Sequence, residues 1–344
     1  MPLDATSKSG SPAPKAGAAA VIAFLLRFQS LFGLIAVFTL SVIESPINRK
    51  GANVFLGPDN LLNVLRFASE NGIIAIGMTL VILTGGIDLS VGAVLALCAV
   101  GAASALMKMG AGTLGTVLLV LGIGSLVGLT NGLVTTRLRI QSFITTLAML
   151  SVARGVASLW SGGYAIPLAF GSAAGQAPAS FKSLFAGELH LGTLDVPVQI
   201  LYFVGVGALV SGVLQRTKFG RHVYAVGSNE VATRLCGVSV NSIKVIVFTV
   251  AGLLSGLAAL LHAALVNQGS HIDGSGYELN AIAAVVIGGT SLLGGSGTVV
   301  GSMIGALILS ILDNILGLRN IQSEYQMILK GIIIVFAVVL QRRR

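Results

Sequence analysis

Charged residues are scarce in this sequence, and their scarcity limits the kind of protein it can encode. Only 10% of the 344 residues are charged, whereas 54% are hydrophobic. A soluble domain of this length needs a charged shell, which 21 basic and 12 acidic residues cannot supply. Several apolar runs reach the roughly 20 residues that cross a bilayer. The composition therefore predicts an all-α polytopic membrane protein embedded in the lipid bilayer.

Cysteines and catalytic motifs are also scarce. The two cysteines, Cys98 and Cys236, fall in a predicted span and in a polar loop, so no disulfide is expected. The sequence lacks G-x-x-x-x-G-K-[ST], H-E-x-x-H and G-x-S-x-G, the motifs of phosphate-binding loops, metalloproteases and serine hydrolases. We therefore predict a protein that is not an enzyme, binds no metal or cofactor and does not itself hydrolyse ATP.

Basic residues nevertheless exceed acidic ones, giving a formal net charge of +9. A charge of this sign can indicate nucleic-acid binding. Here, however, the basic residues stand between apolar runs and at the C-terminus, as in the cytoplasmic loops of membrane proteins. Membrane orientation explains the charge, and no nucleic-acid partner is predicted.

The charges between the apolar runs predict ten transmembrane helices with both termini in the cytoplasm. Residues 1–20 are expected to be a disordered cytoplasmic tail and residues 21–344 one transmembrane domain. Arg49 and Lys50 fall in a predicted external loop, against the usual charge rule. The second span carries Glu70. Its first turns are expected to lie at the membrane interface, and its membrane-crossing part to begin near Gly72. The approximate spans are 28–44, 61–84, from a Gly85–Gly86 break to 106, 113–135, 142–159, 196–215, 245–266, from 279 to a Gly288–Gly289 break, 298–317 and 325–340.

Two long polar connections separate these spans. Residues 161–194 contain one lysine and one glutamate, and this shortage of positive charge predicts an external loop. The stretch 216–243 with the adjoining Lys244 has five basic residues against the single acid Glu230, which predicts a cytoplasmic loop.

The middle of the cytoplasmic loop has the pattern of a short helix. Ser228 is expected to cap its first turn and Gly237 to end it. Glu230 lies at the positive end of the helix dipole, and Val231 and Leu235 form a small apolar stripe. A helix of about two turns is marginal alone in water, so it is expected to dock against another surface. The alternative is a solvated loop that only orients its neighbours.

Glycine is abundant, with 45 residues, and many lie four residues apart within apolar runs. Such stripes allow helix backbones to approach closely in lipid. We expect helix contacts along three stripes: Gly124, Gly128 and Gly132; Gly252 and Gly256; Gly297, Gly301 and Gly305.

Two helices are predicted to be broken by glycine pairs. Non-helical backbone within a membrane is tolerated where it lines a cavity, so broken helices are pointers to a substrate path. The alternatives are tight cytoplasmic turns, or re-entrant segments over residues 72–92 and 279–297. Asp88 is expected to cap the new helix, and Asn131 could join helices instead of touching substrate. The candidate path residues are Gly85, Gly86, Asp88, Ser90, Asn131, Gly288, Gly289 and Thr290.

Three stretches carry a resemblance to a known family. The sequences LTGGIDLSVG, GRHVYAVGSNEVATRLCGV and IAAVVIGGTSLLGGSGTVVGSMIGAL resemble those of ribose-type sugar permeases of bacterial ABC importers. The resemblance covers about residues 30–344 and marks 21–344 as a permease domain of the bacterial inner membrane. It implies that residues 161–194 form a periplasmic loop and 216–243 a cytoplasmic coupling loop.

The resemblance also implies partners. A second copy would complete the path, a periplasmic sugar-binding protein would dock outside and a cytoplasmic ABC ATPase would dock on the coupling loop. The ATPase contacts implied are Gly227, Ser228, Asn229, Glu230, Ala232, Arg234 and Gly237.

Two other functions stay open on the residues alone. An ion-coupled secondary transporter would need titratable residues in mid-span, for which Asp88 is the fairest candidate. A sugar facilitator would need neither a gradient nor a partner. The dockable cytoplasmic helix favours the ATPase-driven permease, and the sequence does not identify the sugar.

Overall fold

The computed structural model describes residues 29–49, 51–173, 175–192 and 194–342, and its backbone is mainly helical. The predicted tail 1–20, Lys50 and the last two arginines lie outside these residues. The helices are α1 (Gln29–Ile43), α2 (Pro58–Leu83), α3 (Val91–Met107), α4 (Thr113–Arg137), α5 (Ser142–Ser161), α6 (Ala179–Ala186), α7 (Val198–Arg216), α8 (Lys218–Ser228), α9 (Glu230–Leu235), α10 (Val240–Val266), α11 (Tyr277–Ile287), α12 (Val299–Leu318) and α13 (Ser323–Arg342).

Short strands occupy the connection between α5 and α7. Three two-stranded ladders form: β1 pairs antiparallel with β6, β2 pairs parallel with β3, and β4 pairs antiparallel with β5. The β1–β6 ladder ties this connection to the chain that follows α10. The strands are β1 (Ile166–Pro167), β2 (Phe170–Gly171), β3 (Ala177–Pro178), β4 (Glu188–Leu191), β5 (Leu194–Pro197) and β6 (Gln268–Gly269).

Each of the ten predicted spans coincides with a helix, namely α1 to α5, α7 and α10 to α13. Among the described residues, six of these helices are long and apolar enough to cross a membrane: α2, α4, α5, α7, α10 and α12. Helices α3 and α11 are shorter, with 17 and 11 residues. Helix α2 is continuous from Pro58, so the first turns that the sequence assigns to the membrane interface are helical as well.

Helix α3 lies at the centre of the bundle, and all of its residues from Val91 to Leu106 are buried. Its neighbours include α4, α5 and α10. Since it is apolar on every face, it is suited to a position surrounded by protein. Small residues predominate in it, which lets the surrounding helices approach closely.

Glycine stripes make the closest helix contacts, as the sequence predicts. Gly124 of α4 faces Gly252 of α10 so closely that a Cβ atom on either would overlap the carbonyl oxygen of the other. Gly288 and Gly301 face each other in the same way near the junction of α11 and α12. Because helices in lipid associate through packing, a larger side chain at these positions would separate the backbones.

The bundle has two chemically different ends. One end carries α8, α9 and the turn between α4 and α5, and we call it the α8–α9 end. The opposite end carries the ladders and α6, and we call it the strand end. There Arg66 of α2 forms a 2.8 Å ion pair with Glu188 of β4, which holds the strand connection to the bundle.

Candidate coupling surface and transport path

The polar stretch 216–243 contains two helices, not one. Thr217 caps α8 by accepting a hydrogen bond from the amide of Gly220 at 3.2 Å. Asn229 caps α9 by accepting one from the amide of Ala232 at 2.9 Å. The cap predicted at Ser228 was therefore wrong, because Asn229 adopts the extended conformation between the two helices. Ser228 instead ends α8, where its hydroxyl donates to the carbonyl oxygen of Tyr224 at 2.9 Å.

The end of α9 agrees with the prediction. Gly237 has a positive φ of 82°, a conformation that glycine adopts without strain. Its amide donates to the carbonyl oxygen of Arg234 at 3.0 Å, closing the last turn.

Glu230 is bound within the chain by two cations. Its carboxylate forms ion pairs with Arg234 at 3.0 Å and with Lys244 of α10 at 2.6 Å. The hydrogen bond from Lys244 is the main cause that lowers the pKa of Glu230 below its ordinary value of 4.5. The pair with Lys244 joins α9 to α10, while the hydroxyl of Thr233 joins α9 to α8 by donating to the carbonyl oxygen of Ala225 at 2.8 Å.

Large apolar side chains on this end are left uncovered by the described residues. Val231 and Leu235 on α9 are 70% and 84% exposed, and Leu293 is 89% exposed. The predicted apolar stripe therefore points outward. An exposed apolar group beside charged residues is typical of a protein interaction surface.

The end of α8 packs against both broken helices. The first break is residues 84–90, between α2 and α3, and the second break is residues 288–298, between α11 and α12. A Cβ atom on Gly227 would overlap the carbonyl oxygen of Leu83 and the amide nitrogen of Gly295. The amide of Gly295 donates to the carbonyl oxygen of Leu83 at 3.0 Å. The hydroxyl of Tyr224 donates to the carbonyl oxygen of Gly297 at 2.9 Å, so α8 and both breaks meet at one place.

Buried side chains organise the first break. The carboxylate of Asp88 accepts hydrogen bonds from the amide and the hydroxyl of Ser90, at 2.8 and 2.6 Å. The amide group of Asn131 on α4 donates to the same hydroxyl at 2.9 Å, which confirms Asn131 as a link between elements. The prediction that Asp88 caps α3 was wrong, since the helix begins at Val91 and Asp88 instead fixes Ser90.

A cleft of about 760 Å³ opens beside the first break. It brings Gly85 and Gly86 together with Glu230 and Arg234, and its wall includes Arg139. The other candidate path residues lie outside its lining. The cleft therefore connects one broken helix with α9, but it does not unite all the residues that the sequence singled out.

An inserted segment, residues 267–276, connects α10 to α11, and its course has no local signal in the sequence. It runs along α3: Gly269 lies against Ala99, and Gly274 lies against Gly92. Glycine is required at both places because a Cβ atom would overlap backbone oxygens of α3. Arg154 of α5 holds the segment, and its guanidinium donates to the carbonyl oxygens of His271 and Asp273 at 2.5 and 2.7 Å.

A buried polar cluster accompanies this segment. Nδ1 of His262 on α10 lies 2.5 Å from a carboxylate oxygen of Glu70 on α2, and Nε2 lies 3.6 Å from Asp273. Glu70 is only 2% exposed. Its position in an apolar run was the signal that the sequence offered, since a carboxylate within a span usually faces a partner or a path.

Other polar residues within spans are paired between helices. Asn60 and Asn314 exchange hydrogen bonds of 3.0 and 2.8 Å, joining α2 to α12. Asp313 lies 2.9 Å from the ammonium group of Lys330 on α13. In the described part of the chain, no group of three or more His, Cys, Asp or Glu side chains could hold a metal ion.

Comparisons with known proteins agree with this architecture. A family described as the permease component of branched-chain amino acid transport systems matches residues 60–338. The ribose import permease protein RbsC of Escherichia coli K12 is 40% identical over 322 residues, covering 94% of this chain and 95% of the relative. RbsC of Haemophilus influenzae is 43% identical over 315 residues, covering 92% and 93%.

A relative with a different name is nearly as similar. The autoinducer 2 import system permease protein LsrC of Enterobacter sp. strain 638 is 37% identical over 319 residues, covering 93% of this chain and 88% of the relative. No solved structure matches the chain.

Proposed function

This chain belongs to the family of permease components described for branched-chain amino acid transport systems, and we propose that it forms the path by which an ABC importer moves ribose or a similar monosaccharide. It is a multi-pass permease of the inner membrane. The monosaccharide assignment is supported by the two ribose import permeases that are 40% and 43% identical over nearly the whole chain. A separate ATPase supplies the energy in this proposal.

The contact of α8 with both breaks is the observation that carries the proposal. A permease driven by another subunit needs a rigid route from the docking surface to the helices that open and close. Gly227 lies behind the exposed face of α9 and touches the backbone of Leu83, at the end of α2, and of Gly295, in the second break. A push on α9 would therefore reach the end of α2 and the second break directly.

The α8–α9 end faces the cytosol in this proposal, with ten spans and both termini on that side. Basic residues at this end support the orientation, since cytoplasmic segments are rich in Lys and Arg. These residues are Arg137, Arg139, Arg216, Lys218 and Arg221.

The ATPase docks on the exposed surface formed by Val231, Leu235 and Leu293. Their exposure supports this role, because buried apolar anchors supply most of the binding energy at protein interfaces. The residues surrounding α9 add polar contacts, whereas Gly227 transmits the motion from behind. The proposed polar contact set is Ser228, Asn229, Glu230, Ala232, Arg234 and Gly237.

Two copies of the chain enclose the path, and a periplasmic sugar-binding protein docks on the strand end. Gly85 and Gly86 are proposed to line the cytoplasmic exit, since they border the 760 Å³ cleft. Asp88, Ser90 and Asn131 hold the first break in position for that exit. Gly288, Gly289 and Thr290 form the start of the second break, which we place beside the same route.

Reconstituted uptake tests this function. The chain would be co-expressed with its ATPase and binding protein in cells that lack ribose uptake, and the entry of labelled ribose would be followed. We expect uptake to require all three proteins, to stop when ATP is depleted with arsenate and to continue in the presence of a proton uncoupler. Uptake by this chain alone would indicate a facilitator, and loss of uptake with the uncoupler while ATP is maintained would indicate a secondary transporter.

A further inference from the structure

The inserted segment 267–276 places polar groups deep within the bundle. Gly269 faces Ala99 and Ala103 of α3, whereas Gly274 faces Gly92 and Leu95. Seven residues separate Ala99 from Gly92, whose backbones make these contacts, so the segment descends about 10 Å alongside α3. Non-helical backbone at such depth is tolerated where it is buried in protein or lines a water-filled route.

Hydrogen bonds hold the descending backbone in one conformation. Arg154 satisfies the carbonyl oxygens of His271 and Asp273, and the carboxylate of Asp273 accepts the amide of Ser270 at 2.7 Å. The hydroxyl of Ser275 donates to the carbonyl oxygen of Ile272 at 2.6 Å. The segment is thus fixed by side chains and is not a loose loop.

One face of this segment is nevertheless open. Gly269, Ser270 and Gly274 are buried against the bundle, whereas Ile272 and Ser275 are exposed, as is Leu279 in the first turn of α11. An exposed serine beside non-helical backbone is poorly suited to contact with lipid.

Two polar side-chain atoms in and next to this segment have no hydrogen-bond partner among the described residues. They are Oε2 of Glu278 and Nδ1 of His271, and both atoms are buried. A carboxylate oxygen left unpaired in this way costs free energy unless a ligand or water supplies a donor. Glu278 also lies against Gly92, at the beginning of α3.

We propose that residues 271–278 form a sugar-contact site within the path, in which Glu278 and His271, whose acceptor atoms are covered in this conformation, turn to bind hydroxyl groups of the passing monosaccharide. A monosaccharide presents several hydroxyl donors, and a carboxylate oxygen and an imidazole nitrogen are matching acceptors. Arg154 is the positioning residue, because it fixes the backbone between them. This inference rests on the proposed function, since it assigns a contact site within that path.

Cysteine labelling in the complete importer tests the exposure of the site. Ser275→Cys would be made in a Cys236→Ser background and treated with a water-soluble thiol reagent, with and without ribose during turnover. We expect Ser275→Cys to react and ribose to slow the reaction at least about threefold. Leu209→Cys on the exposed face of α7 is the matched control, and a position in contact with lipid should not react.

Each labelling outcome is decisive. An unreactive Ser275→Cys in an importer that transports would overturn the site and leave the proposed function intact. If Ser275→Cys reacts equally fast with and without ribose, the residue is exposed to water but not occupied by sugar, and the proposed site is also overturned. Failure of the unsubstituted importer to move any sugar would instead contradict the proposed function.

A charge-removing substitution tests the role of Glu278. Loss of a hydrogen bond to a charged acceptor is expected to lower maximal ribose uptake about tenfold in Glu278→Gln, with the assembled complex still recovered. Glu324→Gln, on the exposed first turn of α13, is the control and should transport normally. Normal uptake by Glu278→Gln would remove this residue from the site.

Discussion

The two broken helices are similar in sequence, but they are held in different ways. Side chains of the bundle hold the first break: the amides of Ile87 and Leu89 donate to the hydroxyls of Ser142 and Thr146 on α5, both at 3.1 Å. Asn131 of α4 adds a further link. The second break is tied instead to α8, through Tyr224 and through the close approach of Gly227 to Gly295.

This difference teaches which break can move. The first break is fixed to α4 and α5, so it behaves as part of the static bundle. The second break is fixed to α8, so a displacement of α8 by the ATPase would carry the second break with it. We infer that the second break and α11 move past the first break when the path opens, which would break the hydrogen bond from the amide of Gly295 to the carbonyl oxygen of Leu83.

Gly227→Ala is the substitution expected to have the largest effect. The added methyl group would overlap backbone atoms of Leu83, which cannot move as a flexible side chain can. Overpacking of this kind costs about 1–3 kcal/mol, so we expect coupled ribose uptake to fall at least about tenfold. Gly212→Ala on α7, where a Cβ atom has open space, is the control and should transport normally.

Asn131→Ala should affect stability more than coupling, because it weakens the static break. It removes a buried donor to Ser90, and such a loss costs about 1–3 kcal/mol of unfolding free energy. Thermal unfolding of the purified protein in detergent would measure the loss. If uptake per folded molecule fell while thermal stability stayed unchanged, the first break would not be static.

Tyr224→Phe should affect coupling more than stability. It removes one hydrogen bond to the second break, worth about 1 kcal/mol, while leaving the packing of the ring. We expect a several-fold fall in the ribose transported per ATP hydrolysed, with little change in the unfolding temperature. An unchanged transport ratio would show that Gly227 alone links α8 to this break.

Glu230→Gln should have the smallest effect at neutral pH, because its ion pairs with Arg234 and Lys244 are partly exposed. Lys244 lowers the pKa of the folded carboxyl below 4.5. The stabilisation is therefore present above that value and is lost as pH falls through the lowered pKa. As the pH falls through this pKa, the amount of ATPase that co-purifies with the parent protein should decrease more than the amount that co-purifies with Glu230→Gln. If the two proteins show the same pH dependence, another group is responsible for the effect.

Sequence reasoning located the helices well because their signals are local. An apolar run marks each of the ten helices that coincide with predicted spans, and glycine spacing predicted close helix contacts, one of which joins Gly124 to Gly252. The polar stretch 216–243 was recognised through its charge, and the end of α9 through Gly237. These features depend on residues that are near one another in the chain.

The remaining features depend on distant residues. The inserted segment 267–276 is polar and short of basic residues, so it has the composition of an external loop. One side of it is packed against α3 because glycines fit it there and because Arg154, more than 110 residues earlier, satisfies its carbonyl groups. The cap at Asn229 was missed for a local reason, since Ser228 is equally suited to capping but already belongs to α8. No periodicity in the sequence reports such pairings.

The central claim is that the second break moves with α8 relative to the bundle, and distances between spin labels test it directly. Labels at Ser296→Cys, Arg221→Cys and Ile140→Cys, in a Cys236→Ser background, would report the second break, α8 and the turn between α4 and α5 without occupying the proposed docking surface. When ATP binds the complete importer, we predict an unchanged distance from residue 296 to 221 and a shift of more than about 2 Å from 296 to 140. A changed distance from 296 to 221 with a constant distance from 296 to 140 would contradict the account.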